Sequence, residues 1–307
     1  MRYLLKLFHQ SSSMQLMKNR VIILLLAMVL AGCGTRLVYS QLDWLIPWYV
    51  SDYISLDDDQ KTLLEARLSK LLDWHCRTQL PAYAATLRAL GRNLADTSEP
   101  VNAETLQAYN ARLTALWQDL LQRIGPDINA ILATASDAQI DELFQNLETQ
   151  NQKFKKKYVD LSPDELIQNR EKRLIKRTRY WISKLNPKQK QAVANWNSQL
   201  APMAADRLQN REIIQAEARS LLAHRHLNPG FRTAMLKLVI NPASMRTAEF
   251  QRKIDINTAV TISFLVELDR MLTEKQRSHL LDRIESLAKD FDTLSCDPRT
   301  RPKPEFD

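Results

Sequence analysis

The chain predicts an all-α fold: a multi-helix, bundle-like domain of about eight to ten amphipathic helices. Three observations predict it. Apolar residues recur at spacings of three and four through most of the chain, as in Leu63, Leu64, Leu68, Leu71, Leu72 and Trp74. Only five glycines stand among 307 residues, too few for the repeated turns of a sandwich or barrel. Finally, a short polar residue followed three positions later by Gln or Glu recurs ahead of the apolar runs.

The first element is a leader. Lys18 and Arg20 precede an uninterrupted apolar run from Val21 to Leu30, and Leu30-Ala31-Gly32-Cys33 follows. That run is about half the ~20 residues a membrane-spanning helix needs, so it fits the apolar core of a signal peptide better than a permanent span. Small residues directly before a cysteine make a lipobox. The expectation is cleavage after Gly32 and acylation of Cys33, with diacylglycerol on the thiol and a further chain on the freed amine. One acyl chain holds marginally and two or more hold stably, so Cys33 is expected to tether the domain to a membrane without a protein helix. An ordinary secretory peptide with a chance cysteine is the blander alternative. Met14 offers a second start, from which the leader has a more usual length. Gly34 rather than Asp after the cysteine points, in a Gram-negative cell, to an outer-membrane lipoprotein facing the periplasm.

Residues 33–55 form an aromatic-rich lead-in containing Tyr39, Trp44, Trp48, Tyr49 and Tyr53. Packing against the fold is the expectation for these rings; a place at lipid headgroups is the alternative. Residues 56–296 form the helical domain. Its first helix covers 57–74, with Asp57, Asp58 and Asp59 suited to the positive end of the helix dipole. Pro81 is expected to break or kink the chain. Helical periodicity returns in 106–124, 140–158, 166–182, 193–200, 208–222, 231–240, 254–271 and 280–294. Leu56-Asp57-Asp58-Asp59-Gln60, Leu161-Ser162-Pro163-Asp164-Glu165, Leu185-Asn186-Pro187-Lys188-Gln189 and Leu272-Thr273-Glu274-Lys275-Gln276 read as capping boxes, and Ser136 to Gln139 as a weaker fifth. Their spacing is irregular, which argues against a solenoid. The tail 297–307, with Pro298, Pro302 and Pro304, is expected to be loose.

Charge is segregated. The whole chain carries +8, but residues 1–32 hold four bases and no acid, leaving 39 basic against 35 acidic residues, or +4. From Lys153 to Lys190 there are thirteen bases and four acids. That segment alone carries +9. Lys153, Lys155, Lys156, Lys157, Arg170, Lys172, Arg173, Lys176, Arg177 and Arg179 therefore form a candidate surface for an anionic partner: lipid phosphate, cell-wall polymer or an acidic envelope protein. A solvated helix face is the ordinary explanation of such a run, and the leader argues against nucleic acid.

With Cys33 acylated, Cys76 and Cys296 are the remaining thiols. In an oxidising compartment they could pair, or stay as two buried thiols. No histidine lies at ligand spacing from either except adjacent His75, so no metal site and no cofactor are expected. Trp74, His75, Arg77, Pro81 and Tyr83 make the densest chemically capable cluster. Asp73 could orient His75, but no serine or cysteine nucleophile accompanies it. A structural corner is the expectation, with Trp74 in the core, His75 and Arg77 on helix-end carbonyls and Tyr83 across the kink. His224 and His226, two residues apart, face different sides of a helix and do not share an ion.

Leu37-Val38-Tyr39-Ser40, Asp43-Trp44-Leu45, Trp48, Asp52-Tyr53, Leu56, Gln60 and Trp74-His75-x-Arg77-x-x-Leu80-Pro81-x-Tyr83 resemble the opening of the DUF6279 type of uncharacterised bacterial lipoproteins. The resemblance is strongest over residues 36–90 and implies a basic residue and a Glu where this chain has Cys76 and Gln79. It implies no activity. The function expected is therefore that of a non-enzymatic, lipid-anchored envelope protein offering a helical interaction surface. A chaperone-like holdase is the alternative, because the helix starts are similar to the Leu-Thr-x-x-Gln motif of small periplasmic chaperones.

Overall fold

The computed structural model describes residues 34–226 and 230–296, and these are helical with no strand among them. Cys33 and the 297–307 tail lie outside the described residues. Two short helices open the fold, α1 (Gly34–Tyr39) and α2 (Leu42–Val50). The lead-in is thus helical. α3 (Asp58–Trp74) passes through a π-helical turn (His75–Gln79) into α4 (Leu80–Ala95), and α5 (Ala103–Thr134) returns along α3. There follow α6 (Asp137–Tyr158), α7 (Pro163–Ile182), α8 (Pro187–Gln199), α9 (Ala204–Ala223) and α10 (Phe231–Ile240). A 3-10 turn (Pro242–Met245), α11 (Ala248–Arg270) and α12 (Glu274–Leu294) complete it.

The chain does not break at Pro81. Proline lacks the N–H of a helical hydrogen bond and its ring crowds the carbonyl four residues back, here that of Arg77. One wider turn relieves both: the Leu80 N–H reaches the His75 carbonyl, five residues earlier, and Pro81 sits in the first turn of α4. Helix therefore runs from Asp58 to Ala95.

All five capping boxes form, with the side chains of Asp57, Ser136, Ser162, Asn186 and Thr273 accepting from the backbone three residues on. Four of them are also joined in pairs. Gln60 and Gln139 exchange amide hydrogen bonds of 3.1 and 2.7 Å, as do Gln189 and Gln276 at 2.8 and 2.9 Å. The second amide hydrogen of each glutamine goes to a carbonyl five residues before its partner: Gln60 to Thr134, Gln139 to Ser55, Gln189 to Met271, Gln276 to Lys184. Each Oε1 also accepts from its own cap's backbone N–H. The box at Ser162 carries Glu165 instead, which is exposed and pairs only locally.

Each glutamine pair adjoins a core cluster. Ile54, Ala135, Ile140, Phe144, Leu222, Phe231, Met235 and Leu238 pack beside the first; Leu174, Ile182, Leu185, Ala192, Val193, Phe264 and Leu268 pack beside the second. A smaller cluster of Leu94, Val101 and Ile284 shares Trp181 and Leu280 with the second. α12 lies antiparallel along α4, in register from Cys76–Cys296 through Tyr83–Phe291 and Arg88–Glu285 to the Arg277 Nη1 donating to the Leu94 carbonyl. Fully buried Ala84 and Ala288, at 1% and 0% exposed, let the two axes approach. At Gly125 of α5 a Cβ would stand 2.8 Å from Ile240 Cγ2 and 2.9 Å from Leu236 Cδ1, so any larger residue there must displace these side chains of α10.

Candidate functional site

The corner motif is held at the π-turn, where α1 and α12 meet it. Cys76 is bonded to Cys296 with a Cα separation of 5.1 Å. His75 Nδ1 lies 3.0 Å from the Tyr39 hydroxyl, and the Tyr83 ring stands edge-on to His75 at 5.8 Å and packs on Phe291 at 5.6 Å. Burial pushes His75 below the ordinary imidazole range, and burial followed by Tyr83 pushes Tyr39 up to about 12. The pair is therefore a neutral imidazole and a neutral phenol near pH 7, a structural hydrogen bond. His75 and Arg77 do not serve helix-end carbonyls, because the helix does not end there. Arg77 Nε donates to Asp73 Oδ1 at 2.8 Å, and Trp74, partly exposed, lies under the Arg123 guanidinium at 5.9 Å. Among the described residues no three His, Cys, Asp or Glu side chains gather as metal ligands.

The basic segment behaves differently. Lys153, Lys155, Lys156 and Lys157 end α6, and Lys172, Arg173, Lys176, Arg177 and Arg179 stand on α7; all nine are exposed. Tyr158 draws the two groups together, with Lys157 Nζ 5.1 Å and the Arg173 guanidinium 5.8 Å from its ring. Ion pairs among the described residues lie elsewhere, as in Arg88 with Glu285 and Asp292, Lys253 with Asp206, and Arg277 with Asp269. None includes these nine. Lysines in the last turn of α6 complement its dipole, an ordinary reason for three of them. That reason does not extend to mid-helix α7. There Lys172 faces Lys176, and Arg173 faces Arg177, one turn apart; such like-charged pairs each weaken a helix by about 0.2–0.5 kcal/mol.

Arg170 leaves this set. Its Nη1 donates to the Leu200 carbonyl at 3.2 Å and its Nη2 to the Asn197 carbonyl at 2.8 Å, while Nε reaches the Asn197 side chain. The last carbonyls of α8 lack intrahelical partners, and this half-buried guanidinium supplies them.

Two features were not visible in the sequence pattern. No residue of α2 is buried, and Leu37, Trp44 and Tyr49 are 43%, 47% and 58% exposed, so the lead-in packs less than expected. α2 meets the fold mainly through α3. An apolar cavity of about 350 Å³ also opens between α4, α5, α7, α8, α11 and α12, with Arg177 in its wall.

A family model matches residues 52–251. The chain belongs to DUF6279, a family of unknown function. The DUF6279 match opens at Asp52, after the Leu37–Trp48 residues that carry part of the resemblance, and extends far beyond Tyr83. It contains the corner motif, the basic segment and four of the five capping boxes. No curated protein and no solved structure matches the chain. No described helix is long and apolar enough to cross a membrane.

Proposed function

We propose that this DUF6279 protein is a lipid-anchored, non-enzymatic protein of the bacterial envelope that holds an anionic partner on the basic face of α6 and α7. The observation that carries the reading is the density of unneutralised charge on that face: nine exposed cations on the end of α6 and on α7, none in an ion pair among the described residues, with like charges one turn apart on α7. A partner bearing phosphate or carboxylate groups would relieve the like-charge crowding on α7. Steering by such a face weakens as salt rises.

Anchoring rests on the lipobox at Cys33. The Cys76–Cys296 bond suits an oxidising compartment, and exposed Leu37, Trp44 and Tyr49, close behind Cys33, suit a headgroup layer. Cys33→Ala is expected to abolish incorporation of labelled palmitate and to remove the protein from the outer-membrane fraction. Persistence of label would sink the anchor.

The partner test uses detergent-solubilised full chain sedimented with cell-wall fragments or with anionic or neutral vesicles, across a salt series. Replacing Lys155, Lys156, Lys157, Arg173 and Arg177 by Ala removes five cations, each worth about 1 kcal/mol near an anionic surface. Even two effective contacts predict roughly a thirtyfold loss at low salt. Binding that ignores both salt and substitution removes the proposal. The holdase alternative rests on the Leu-Thr-x-x-Gln-like boxes, whose glutamines are occupied in the joints of the fold. Near-stoichiometric suppression of client aggregation would favour it over the basic-face reading.

A further inference from the structure

The cavity between α4 and its neighbours has a polar inventory that selects its occupant. Leu87, Leu90 and Leu94 of α4, Leu280 and Ile284 of α12, and Trp181 of α7 supply apolar wall. The polar groups among them are already engaged. Thr178 gives its hydroxyl to the Leu174 carbonyl, Trp196 gives its indole N–H to Thr261, and Asp269 is held by Arg277 at 2.8 Å. Arg177 differs. It lines the cavity, is exposed, and takes part in no ion pair.

The shape adds a second constraint. Leu87 to Leu94 covers about 10 Å of α4 at roughly 1.5 Å per residue, so the apolar wall runs along about two helical turns. A volume of about 350 Å³ lies within the ~300–1,000 Å³ of ordinary ligand pockets. Water is poorly served by a wall that is mostly aliphatic and aromatic. Leu265, 42% exposed, stands in the lining where it reaches solvent.

We propose that this cavity binds the hydrocarbon chain of a fatty acid, with the carboxylate held at its rim by Arg177. Part of the chain lies along Leu87, Leu90 and Leu94, aliphatic against aliphatic wall. The guanidinium fork meets the two carboxylate oxygens side by side, the geometry that distinguishes arginine from lysine. Asp269, the acidic side chain of the lining, already has Arg277 as a counter-ion. This site differs from the binding of an anionic partner by the basic face: it needs the cavity, and of the face it needs Arg177 alone.

The test uses full-length protein in nanodiscs with a diazirine-bearing C16 fatty acid, irradiated and mapped by peptide mass spectrometry. Label is expected to saturate and to fall on peptides of α4, α7, α11 and α12. Leu265→Trp, at an exposed position that leaves the core intact, is expected to cut labelling at least fivefold by filling the entrance. Arg177→Gln is expected to raise the half-saturating concentration about tenfold, while Lys155→Ala, Lys156→Ala and Lys157→Ala together leave it unchanged. An equally potent diazirine fatty alcohol, label spread over unrelated peptides, or indifference to both Leu265→Trp and Arg177→Gln overturns the proposal. A lysophospholipid that competes better than the free acid overturns the assignment of the carboxylate.

Discussion

Gln189 and Gln276 illustrate what a single side chain does in this protein. Both are buried, at 0% and 7% exposed, and each amide satisfies its donors and its acceptor through the reciprocal pair, a distant carbonyl and its own cap. Removing one leaves the other unpaired in the interior, which costs about 1–3 kcal/mol. Gln189→Leu and Gln276→Leu are each expected to lower stability by that amount, and the double variant by much less than their sum. Additive losses in urea unfolding would refute the pairing. Ser183, the one described non-glycine residue with positive φ, sits at φ 65° and ψ −143° beside Lys184, whose carbonyl accepts from Gln276. That region suits glycine, so Ser183→Gly is expected to stabilise by up to ~1 kcal/mol, seen as a raised melting temperature. His75 adds a pH dependence. Burial lowers its folded pKa, so below the ordinary value of about 6.5 the unfolded chain binds more protons than the folded one. The stability held by the neutral ring is present above that pH and declines as pH falls toward the folded value. The melting temperature is expected to drop on acidification, and less so in His75→Gln.

At the scale of elements, the capping boxes were legible because their chemistry is local: a cap, a Gln or Glu three residues later, and an apolar run. Which boxes pair was not. Leu161-Ser162-Pro163-Asp164-Glu165 reads as strongly as any, yet it stays alone, and the weaker Ser136 box joins Gln60. Pairing depends on the path of the chain between them. The π-turn was hidden for a related reason, since Pro81 indicates a disturbed helix but not whether it is relieved by a break or by one wide turn. The basic face was legible as charge density; that Arg170 caps α8 and that the other nine lack acidic partners required the fold. Gly125 makes the contact of α5 with α10 testable. Gly125→Val is expected to cost roughly 1–3 kcal/mol through overpacking against Ile240 and Leu236. An unchanged unfolding midpoint would show that α10 can withdraw freely.

Over the whole molecule, all-α architecture followed from periodicity and scarce glycine, whereas its two glutamine-centred joints and lateral cavity follow from long-range contacts that no local pattern encodes. The Cys76–Cys296 pairing was open from sequence, because distance along the chain says nothing about distance in space. Their bond spans a sequence separation of 220 residues, and in the chain-entropy picture a loop that long contributes about 5 kcal/mol. Replacing both by Ala is expected to lower stability by about 2–5 kcal/mol, measured by denaturant unfolding without reductant. The same bond closes residues 76–296 into a ring, with the N-terminal arm leading back to Cys33. A protease that cuts once between residues 76 and 296 therefore opens the ring without dividing the molecule. Both pieces keep a common mass until a thiol is added, and the distal piece remains tied to whatever holds the N-terminal arm.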